Sequence, residues 1–487
     1  MSKDTVLLAP SVVSLPYRVY PQRFYVLTVF CLLSFNQNLI WLTFSPIARS
    51  TETYYKISEA TVDLLLNWGP IIFIPCLPLT YILLNKDHGL RRCIILLAIG
   101  DFIAALLRVI PSVLTSPSSP HFTTISMIFM HAGQILNAAC GPLATTPVSQ
   151  LSCLWFGSNQ RTRATTIAIF THKLGGAIAF LTSSAIVSLP EHIPRLLYIH
   201  LSLTFVACVL VLIYFPAQPP TAPSGATELL MSYRTDRPND SSWRTSMKNV
   251  GRCMTTPSMV LLSTAGGIIA GTFGAWTGLF DTILKPENYS EQQSGWFAFG
   301  TLISCIVGGL CFGALADTRY FQRRFKILIV LAFICCFLAV FFFELSVHTV
   351  FYDKPLLHST SLIIGLSVAF AGFFQGAALP LIYEAMAEIM FPLPESLSAS
   401  ILLQWLNITA LILLFIAPNR AKLINLLVLI ALGTSIIMSL LARITYRRRD
   451  EDERKECEKE TELLLNSDNM DPYQNQSISQ SQYGSIS

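Results

Sequence analysis

The chain has 487 residues, of which 52% are hydrophobic and only 13% are charged, and its mean hydropathy is +0.54. A chain this apolar cannot cover one soluble core with polar side chains, so the composition excludes a soluble globular protein. The net charge of +4 does not indicate nucleic-acid binding, and no nucleophile–base set or metal-ligand spacing is present, so we predict a membrane protein that is not an enzyme and has no cofactor or metal.

Twelve apolar segments follow one another along the chain, and each reaches the roughly 20 residues that a membrane-spanning helix needs. Numbered as spans 1 to 12, they cover residues 24–47, 61–84, 93–113, 123–153, 163–189, 194–215, 257–284, 295–316, 325–350, 359–390, 397–418 and 421–443. A polar stretch divides them into two sets of six. We therefore predict an all-α membrane protein with an N-terminal tail (1–22), a six-helix bundle (23–215), a linker (216–256), a second six-helix bundle (257–443) and a disordered C-terminal tail (444–487).

Lysine and arginine concentrate on one side of this predicted arrangement. If the N-terminus is cytosolic, the cytosolic tails, loops and linker hold 24 of the chain's 33 lysines and arginines. Cytosolic loops of membrane proteins retain positive charge. We therefore predict that both termini are cytosolic.

Two loops, after spans 2 and 8, repeat one pattern. The first reads YILLNKDHGLRR (81–92) and the second GALADTRYFQRR (313–324), each a helix end followed by an acid and an arginine pair. Both resemble the loops that major facilitator superfamily transporters carry after their second and eighth helices, although Asn85 stands where an aspartate is usual. The resemblance implies the fold of that superfamily, in which two bundles rock around a midplane site. It also implies gate-loop roles for Asp87, Arg91, Arg92, Asp317 and Arg323.

Longer stretches resemble one family within that superfamily, solute carrier family 49. HAGQILNAACGPLATTPVSQLSCLWFGSNQRTRATTIAIF (131–170) and YEAMAEIMFPLPE (383–395) are similar to the family as a whole. NQNLIWLTFSP (36–46), NWGPIIFIPCLPL (67–79) and GAWTGLFDTIL (274–284) are most similar to its lysosomal branch. The resemblance implies a proton-driven lysosomal carrier of pyridoxine. The alternatives are a plasma-membrane carrier of choline, ethanolamine or haem-related cargo, and a transporter-shaped solute sensor.

A pyridoxine site needs an aromatic face and a few donors and acceptors. Span 1 offers Trp41, with Gln37 and Asn38 one turn earlier, and choline carriers of the family place a tryptophan at the matching position. Trp41 could instead pack against lipid or a neighbouring helix. Span 7 offers Trp276, although the glycines around it could equally mean close helix packing. The other predicted substrate-binding residues are Gln134, Asn137 and Gln375.

Ionisable side chains inside the spans are costly and usually functional. Asp101 and Arg108 are two turns apart on span 3, about 10 Å along the axis, so we expect no direct pair. We expect Asp101 or another acid to neutralise Lys173, which follows His172 on span 5. A substrate or proton role for that pair is the alternative. His131 on span 4 either bonds a neighbouring helix or responds to luminal pH.

Two acids, Glu384 and Glu388, lie four residues apart on one face of span 10, in its cytosolic half. Two roles are open to them. They could close a cytosolic gate by pairing with Arg161 or Arg163, or one of them could carry the coupling proton. Asp281, at the end of span 7, is a further candidate for proton coupling or gating.

The tails carry short patterns of the kind that sorting adaptors read. The N-terminal tail reads DTVLL (4–8), and the C-terminal tail contains ETELLL (460–465) and YGSI (483–486). We predict sorting to the lysosomal membrane, with the plasma membrane as the alternative. The expected partners are a small solute, protons, the lipid bilayer and sorting adaptors, and we expect a monomer. The predicted sorting residues are Leu7, Leu8, Leu464, Leu465 and Tyr483.

Overall fold

The structure is a computed structural model that describes residues 19–84, 86–221, 243–316, 318, 320–321, 323–350, 355–357, 360–391, 393, 395–416, 421–447 and 450. Within these ranges the chain forms helices and their connections, without strands. Several predicted residues lie outside the description: the sorting residues Leu7, Leu8, Leu464, Leu465 and Tyr483, the gate-loop residue Asp317, and the side chain of Arg161.

The first bundle is built from six long helices and two short ones. They are α1 (Gln22–Trp41), α2 (Ala48–Tyr55), α3 (Glu59–Leu84), α4 (Gly89–Leu114), α5 (Phe122–Thr145), α6 (Val148–Trp155), α7 (Ser158–Ile186) and α8 (Ile193–Ile213). Short 3-10 helices at Ser45–Ile47 and Pro190–His192 complete it.

The second bundle follows a helix that lies inside the predicted linker, α9 (Trp243–Thr255). Its elements are α10 (Pro257–Gly278), α11 (Phe280–Leu284), a 3-10 helix (Lys285–Glu287), α12 (Glu291–Ala316), α13 (Phe325–Glu344), α14 (Ser361–Met390), α15 (Glu395–Ile416) and α16 (Ala421–Leu441).

Eleven helical segments in the described ranges are long and apolar enough to cross a membrane. The remaining long helix, α5, is less apolar because it carries His131, Gln134 and Asn137. The predicted all-α fold of two six-helix bundles is confirmed. Span 4 differs from its prediction, because the helix breaks between Thr145 and Val148, where Pro147 has no backbone N–H to continue it.

The two bundles share one apolar cluster and meet through two helix pairs. Two clusters lie within the first bundle, and a third, larger cluster lies mainly in the second bundle and includes Leu39, Leu66 and Phe180 of the first. The contacts between bundles run along α3 with α15 and α7 with α12. We call the end of the molecule that carries Arg49 and Asp281 the Arg49 face, and the opposite end, which carries Arg91 and Arg92, the Arg91 face.

Helix α3 stays helical through three prolines, Pro70, Pro75 and Pro78. A proline inside a helix costs about 3 kcal/mol in water. In a bilayer the helix has no good alternative, because an unfolded backbone would find no water to hydrogen-bond with. The membrane therefore retains a helix that would be marginal in solution.

Helices α12 and α14 approach each other backbone to backbone at glycines. A methyl group added to Gly308 would collide with the carbonyl oxygen of Phe373, and one added to Gly376 would collide with that of Cys305. This contact is of the kind that small residues permit in membrane bundles. The pair therefore packs more closely than side chains would allow.

Gly308→Ala is expected to destabilise the protein by about 1–3 kcal/mol, because the backbones of α12 and α14 would have to move apart. The matched controls are Gly300→Ala and Gly313→Ala on the same helix, where the added methyl meets no atom within 4 Å. There alanine should be neutral or stabilise the helix by up to about 1 kcal/mol. Thermal unfolding in detergent measures all three, and equal melting temperatures would contradict the close approach.

Candidate functional site

An ion pair joins the two bundles at the Arg49 face. The guanidinium of Arg49 in α2 pairs with the carboxylate of Asp281 in α11, with Nε donating to the two carboxylate oxygens at 3.0 and 3.1 Å. Arg49 Nη2 also donates to the carbonyl of Tyr289 at 3.1 Å. The backbone N–H and the hydroxyl of Ser50 donate to Glu291 at 2.8 and 2.6 Å. We call Arg49, Ser50, Asp281 and Glu291 the Arg49 clamp.

The clamp closes the Arg49 face in this conformation, since its two halves come from different bundles. The Asp281 side chain is only 2% exposed, whereas that of Arg49 is 29% exposed. Asp281 was predicted from the sequence as a residue for gating or proton coupling. Arg49, Ser50 and Glu291 were not predicted. A buried acid at the end of an apolar segment was the available signal, because such an acid needs a cation nearby.

The amide side chains predicted to bind substrate form bonds between helices of the first bundle. Gln37 Nε2 donates to the carbonyl of Asn137, and Asn137 Nδ2 donates to the carbonyl of Gln37, both at 3.3 Å. Asn38 Nδ2 donates to the carbonyl of His172 at 2.8 Å. Asn137 Nδ2 also donates to Asp101 Oδ1 at 3.2 Å. These amides hold α1 against α5 and α7.

Arg108 is fully enclosed at the C-terminal end of α1, with 1% of its surface exposed. Its guanidinium donates to the carbonyl of Ile40 at 2.8 Å, to the hydroxyl of Thr43 at 3.1 Å and to Gln134 Oε1, rather than to Asp101. Gln134 Nε2 in turn donates to the carbonyl of Trp41 at 3.0 Å. Arg108 therefore helps to cap the C-terminal end of α1 by donating to the carbonyl of Ile40, which also accepts from the hydroxyl of Thr43, at a place where the helix dipole favours a cation.

The two candidate tryptophans occupy different environments. Trp41 is half-buried, its indole N–H donates to the carbonyl of Leu66 at 3.2 Å, and its ring lies against Gly69. Trp276 has no exposed surface; its N–H donates to Asn425 at 2.9 Å and three phenylalanine rings surround it. The structure therefore places Trp276 in the core of the second bundle and Trp41 closer to the bundle interface.

Helix α3 is bonded both to its own bundle and to the second one. The N–H of Trp68 donates to His131 Nδ1 on α5 at 2.8 Å, so this ring nitrogen acts as an acceptor. On another side of α3, Gln404 Nε2 of α15 donates to the carbonyl of Ile74 at 3.2 Å. His131 thus bonds a neighbouring helix, and a proton on Nδ1 would displace the Trp68 bond.

A second polar contact between the bundles runs from α7 to α12 and α14. Lys173 Nζ donates to the sulfur of Cys305 at 3.3 Å, and the Cys305 thiol donates to Gln375 Oε1 at 3.2 Å. The expectation that Asp101 neutralises Lys173 was wrong. Asp101 accepts from Asn137 on another side of the first bundle, while Lys173 points across the interface.

The two acids of α14 differ in exposure. Glu388 has no exposed surface, whereas Glu384 is exposed. Arg163, proposed from the sequence as a gating partner, is exposed. The side chains of Glu384 and Glu388 therefore lie in different environments, although they occupy one helix face.

The gate-loop residues in the described ranges lie at the surface. Asp87, Arg91 and Arg92 are exposed on the Arg91 face. Arg323 pairs with Asp450 at 3.0 Å, and both side chains are about half exposed. A surface pair of this kind contributes at most about 1 kcal/mol. The pair brings the predicted gate loop close to the start of the C-terminal tail.

The family model and two relatives that match this chain are those of membrane transporters. The family model described as Major Facilitator Superfamily matches residues 26–402. The solute carrier family 49 member 4 homolog of Xenopus laevis is 30% identical over 425 residues, which cover 83% of this chain and 87% of that protein. The choline/ethanolamine transporter flvcr2a of Danio rerio is 25% identical over 402 residues, which cover 79% and 77%.

The fold is also that of solved transporters. The xylose transporter XylE from E. coli, in an inward open conformation, superposes with a TM-score of 0.61 at 14% sequence identity, covering 87% of this chain and 97% of that one. At this identity the likeness shows the fold alone.

Proposed function

Since this chain belongs to the major facilitator superfamily and, within it, to solute carrier family 49, we propose that it is a proton-coupled secondary transporter that carries pyridoxine across the lysosomal membrane. Membership of the family makes it a multi-pass membrane protein that transports a solute. The substrate, the coupling ion and the membrane are the proposal.

The observation that carries the proposal is the placement of Trp41. Its indole N–H and its backbone carbonyl are both engaged, so the ring is held in one orientation. It packs against the larger apolar cluster, which joins residues of both bundles. A rigid aromatic ring at the bundle interface suits a flat pyridine solute, which can stack on it.

Proton coupling is assigned to Glu388 on the same proposal. A carboxyl group with no exposed surface in one conformation and access to water in another can bind and release a proton as the carrier cycles. Glu384, one turn earlier and exposed, is the matched comparison. With both tails in the cytosol, the closed Arg49 face lies toward the lumen. The tail patterns supply the lysosomal address, read by sorting adaptors, and the carrier works as a monomer.

A second candidate function follows from relatives that are named as choline/ethanolamine transporters. Cation recognition by an aromatic face would use the same Trp41. The relative with 30% identity is a member 4 homolog, whereas these choline/ethanolamine transporters are 24–25% identical. This difference favours the first candidate. Saturable uptake that depends on a proton gradient would exclude a solute sensor.

Uptake of labelled pyridoxine tests the proposal in a protein that reaches the cell surface, with Leu7, Leu8, Leu464 and Leu465 replaced by alanine. Uptake should be faster at acidic than at neutral external pH. Trp41→Ala should raise KM by about tenfold, which corresponds to about 1.4 kcal/mol of lost stacking.

Two carboxamide variants of α14 complete this test. Glu388→Gln should abolish the acid stimulation, and Glu384→Gln should retain most of it. If the protein reaches the cell surface but takes up no pyridoxine at any pH, the assignment of pyridoxine as the substrate is contradicted. Uptake of choline by that protein would support the second candidate.

A further inference from the structure

We propose that Lys173 is a specificity-determining residue, which supplies a positive charge to the substrate site, selects solutes that present an electron-rich or anionic oxygen, and rejects quaternary ammonium solutes. The inference rests on the proposed function for the position of the site and extends it to the chemistry of the substrate.

The three residues of this contact lie at about the middle depth of the membrane-spanning helices. Lys173 lies near the middle of α7 (Ser158–Ile186), Cys305 near the middle of α12 (Glu291–Ala316) and Gln375 near the middle of α14 (Ser361–Met390). At 1.5 Å per residue, each is about 16–23 Å from either end of its helix. Carriers with two bundles bind their solute at this depth, between the bundles.

The second observation is that the ammonium group faces the other bundle. Lys173 is half-buried, and it reaches across the interface to a thiol 3.3 Å away. When the bundles separate, this contact must open, and both Lys173 and Gln375 then border the space between them. An amide and an ammonium together offer hydrogen-bond donors to an oxygen of a solute.

The third observation concerns charge. Within the described part of the chain, no carboxylate lies within ion-pair distance of Lys173, and its hydrogen bond goes to a weakly accepting sulfur. A cation at mid-depth of a membrane protein is costly without a counter-charge. A solute that brings an oxygen with negative character would supply that counter-charge and displace Cys305 as its partner.

Pyridoxine and choline differ in the charge that each would present to Lys173. The ring hydroxyl of pyridoxine ionises readily because of the neighbouring pyridinium nitrogen, and the resulting oxygen can accept a charge-assisted hydrogen bond from an ammonium. Choline carries a permanent positive charge at one end, and like charges at close range repel. A site with Lys173 on its wall therefore favours pyridoxine over choline.

The decisive measurement needs no substrate. Cys305 serves as a reporter, because a methanethiosulfonate that enters the site forms a disulfide with this thiol and releases methanesulfinate. Labelling rates are compared for a sulfonate-bearing and a trimethylammonium-bearing reagent, with peptide mass spectrometry to identify the site. The parent is compared with Lys173→Met, which removes the charge, and Lys173→Arg, which keeps it. Free cysteine in solution gives the intrinsic reactivity of the two reagents.

Relative to the ratio for free cysteine, the ratio of the sulfonate rate to the trimethylammonium rate at Cys305 should be about tenfold higher in the parent and in Lys173→Arg, and this preference should disappear in Lys173→Met. An unchanged ratio at Cys305 in Lys173→Met would overturn the proposal. So would a Cys305 that neither reagent labels in the parent, because the site would then be closed to solutes.

Protection by ligands separates this inference from the proposed substrate. Pyridoxine should slow the labelling of Cys305 in the parent, and choline should not. Protection by choline would overturn the rejection of cations by Lys173. A charge preference that depends on Lys173, without protection by pyridoxine, would support the role of Lys173 and show that another oxygen-bearing solute is the substrate.

Discussion

Arg49→Met is expected to destabilise the closed Arg49 face by about 3 kcal/mol, whereas Asp281→Asn should cost much less. The two partners of the ion pair differ in exposure, with 2% for the Asp281 side chain and 29% for that of Arg49. Removing Arg49 leaves a buried carboxylate without its cation, which costs about 3–5 kcal/mol, and the partial exposure of the pair favours the lower figure. Removing the charge of Asp281 leaves a guanidinium that water can reach, and asparagine still offers an oxygen to it.

The measured quantity is the balance between the states that are closed and open at the Arg49 face. A change of about 3 kcal/mol shifts this balance by more than a hundredfold. Reactivity of a cysteine introduced between the clamp halves reports the open state, and it should rise strongly in Arg49→Met and only slightly in Asp281→Asn. Arg195→Met, which removes an exposed arginine near the start of α8, is the control.

The double variant Arg49→Met with Asp281→Leu should recover most of the closed state, because no buried charge is left behind. Equal effects of the two single variants would contradict the asymmetry. They would indicate that the pair acts as an ordinary surface ion pair.

Arg108→Met is expected to destabilise the first bundle by about 1–3 kcal/mol. The substitution leaves the amide oxygen of Gln134 without its donor in a site that water does not reach, whereas the carbonyl of Ile40 keeps the hydroxyl of Thr43 as a donor. Each buried acceptor left without a partner costs about 1–3 kcal/mol. Lysine keeps the charge but not the planar fork of donors, so Arg108→Lys should fall between methionine and the parent.

Thermal unfolding in detergent measures this effect, and Arg92→Met, exposed on the same helix, is the control. The uptake assay adds a second readout. Arg108 holds Gln134, which holds the carbonyl of Trp41, so Arg108→Lys should also raise KM for pyridoxine. A methionine variant with the melting temperature of the parent would contradict the capping role.

The bundle architecture was predictable because hydrophobic length and the polar linker are local properties of the sequence. The Arg49 clamp was not predictable, because Arg49 and Asp281 are 232 residues apart and the sequence around neither residue identifies the other as its partner. The same limit applies to Lys173, whose contact with Cys305 spans 132 residues. Pairs between bundles depend on how the helices pack against one another. The hydrophobic pattern of the sequence predicts the helices but not their packing.

Residue types were easier to predict than their roles. Gln37, Asn38 and Asn137 were singled out as polar groups in apolar helices, and the structure shows them bonded mainly to backbone carbonyls of neighbouring helices. A polar side chain inside a membrane bundle must find a partner, and packing decides whether that partner is protein or solute. Their role in binding pyridoxine stays a prediction. Trp276 illustrates the same point, because its N–H finds Asn425 within its own bundle.

The prolines of α3 have a consequence for how the two bundles are attached. Each proline lacks the N–H that would bond the carbonyl four residues earlier. For Pro70 that carbonyl belongs to Leu66, and it accepts the indole N–H of Trp41. For Pro78 it belongs to Ile74, and it accepts the amide of Gln404 from the other bundle. The residues that weaken this helix therefore create the acceptors that anchor it, so moving either proline by one position would move an attachment point with it.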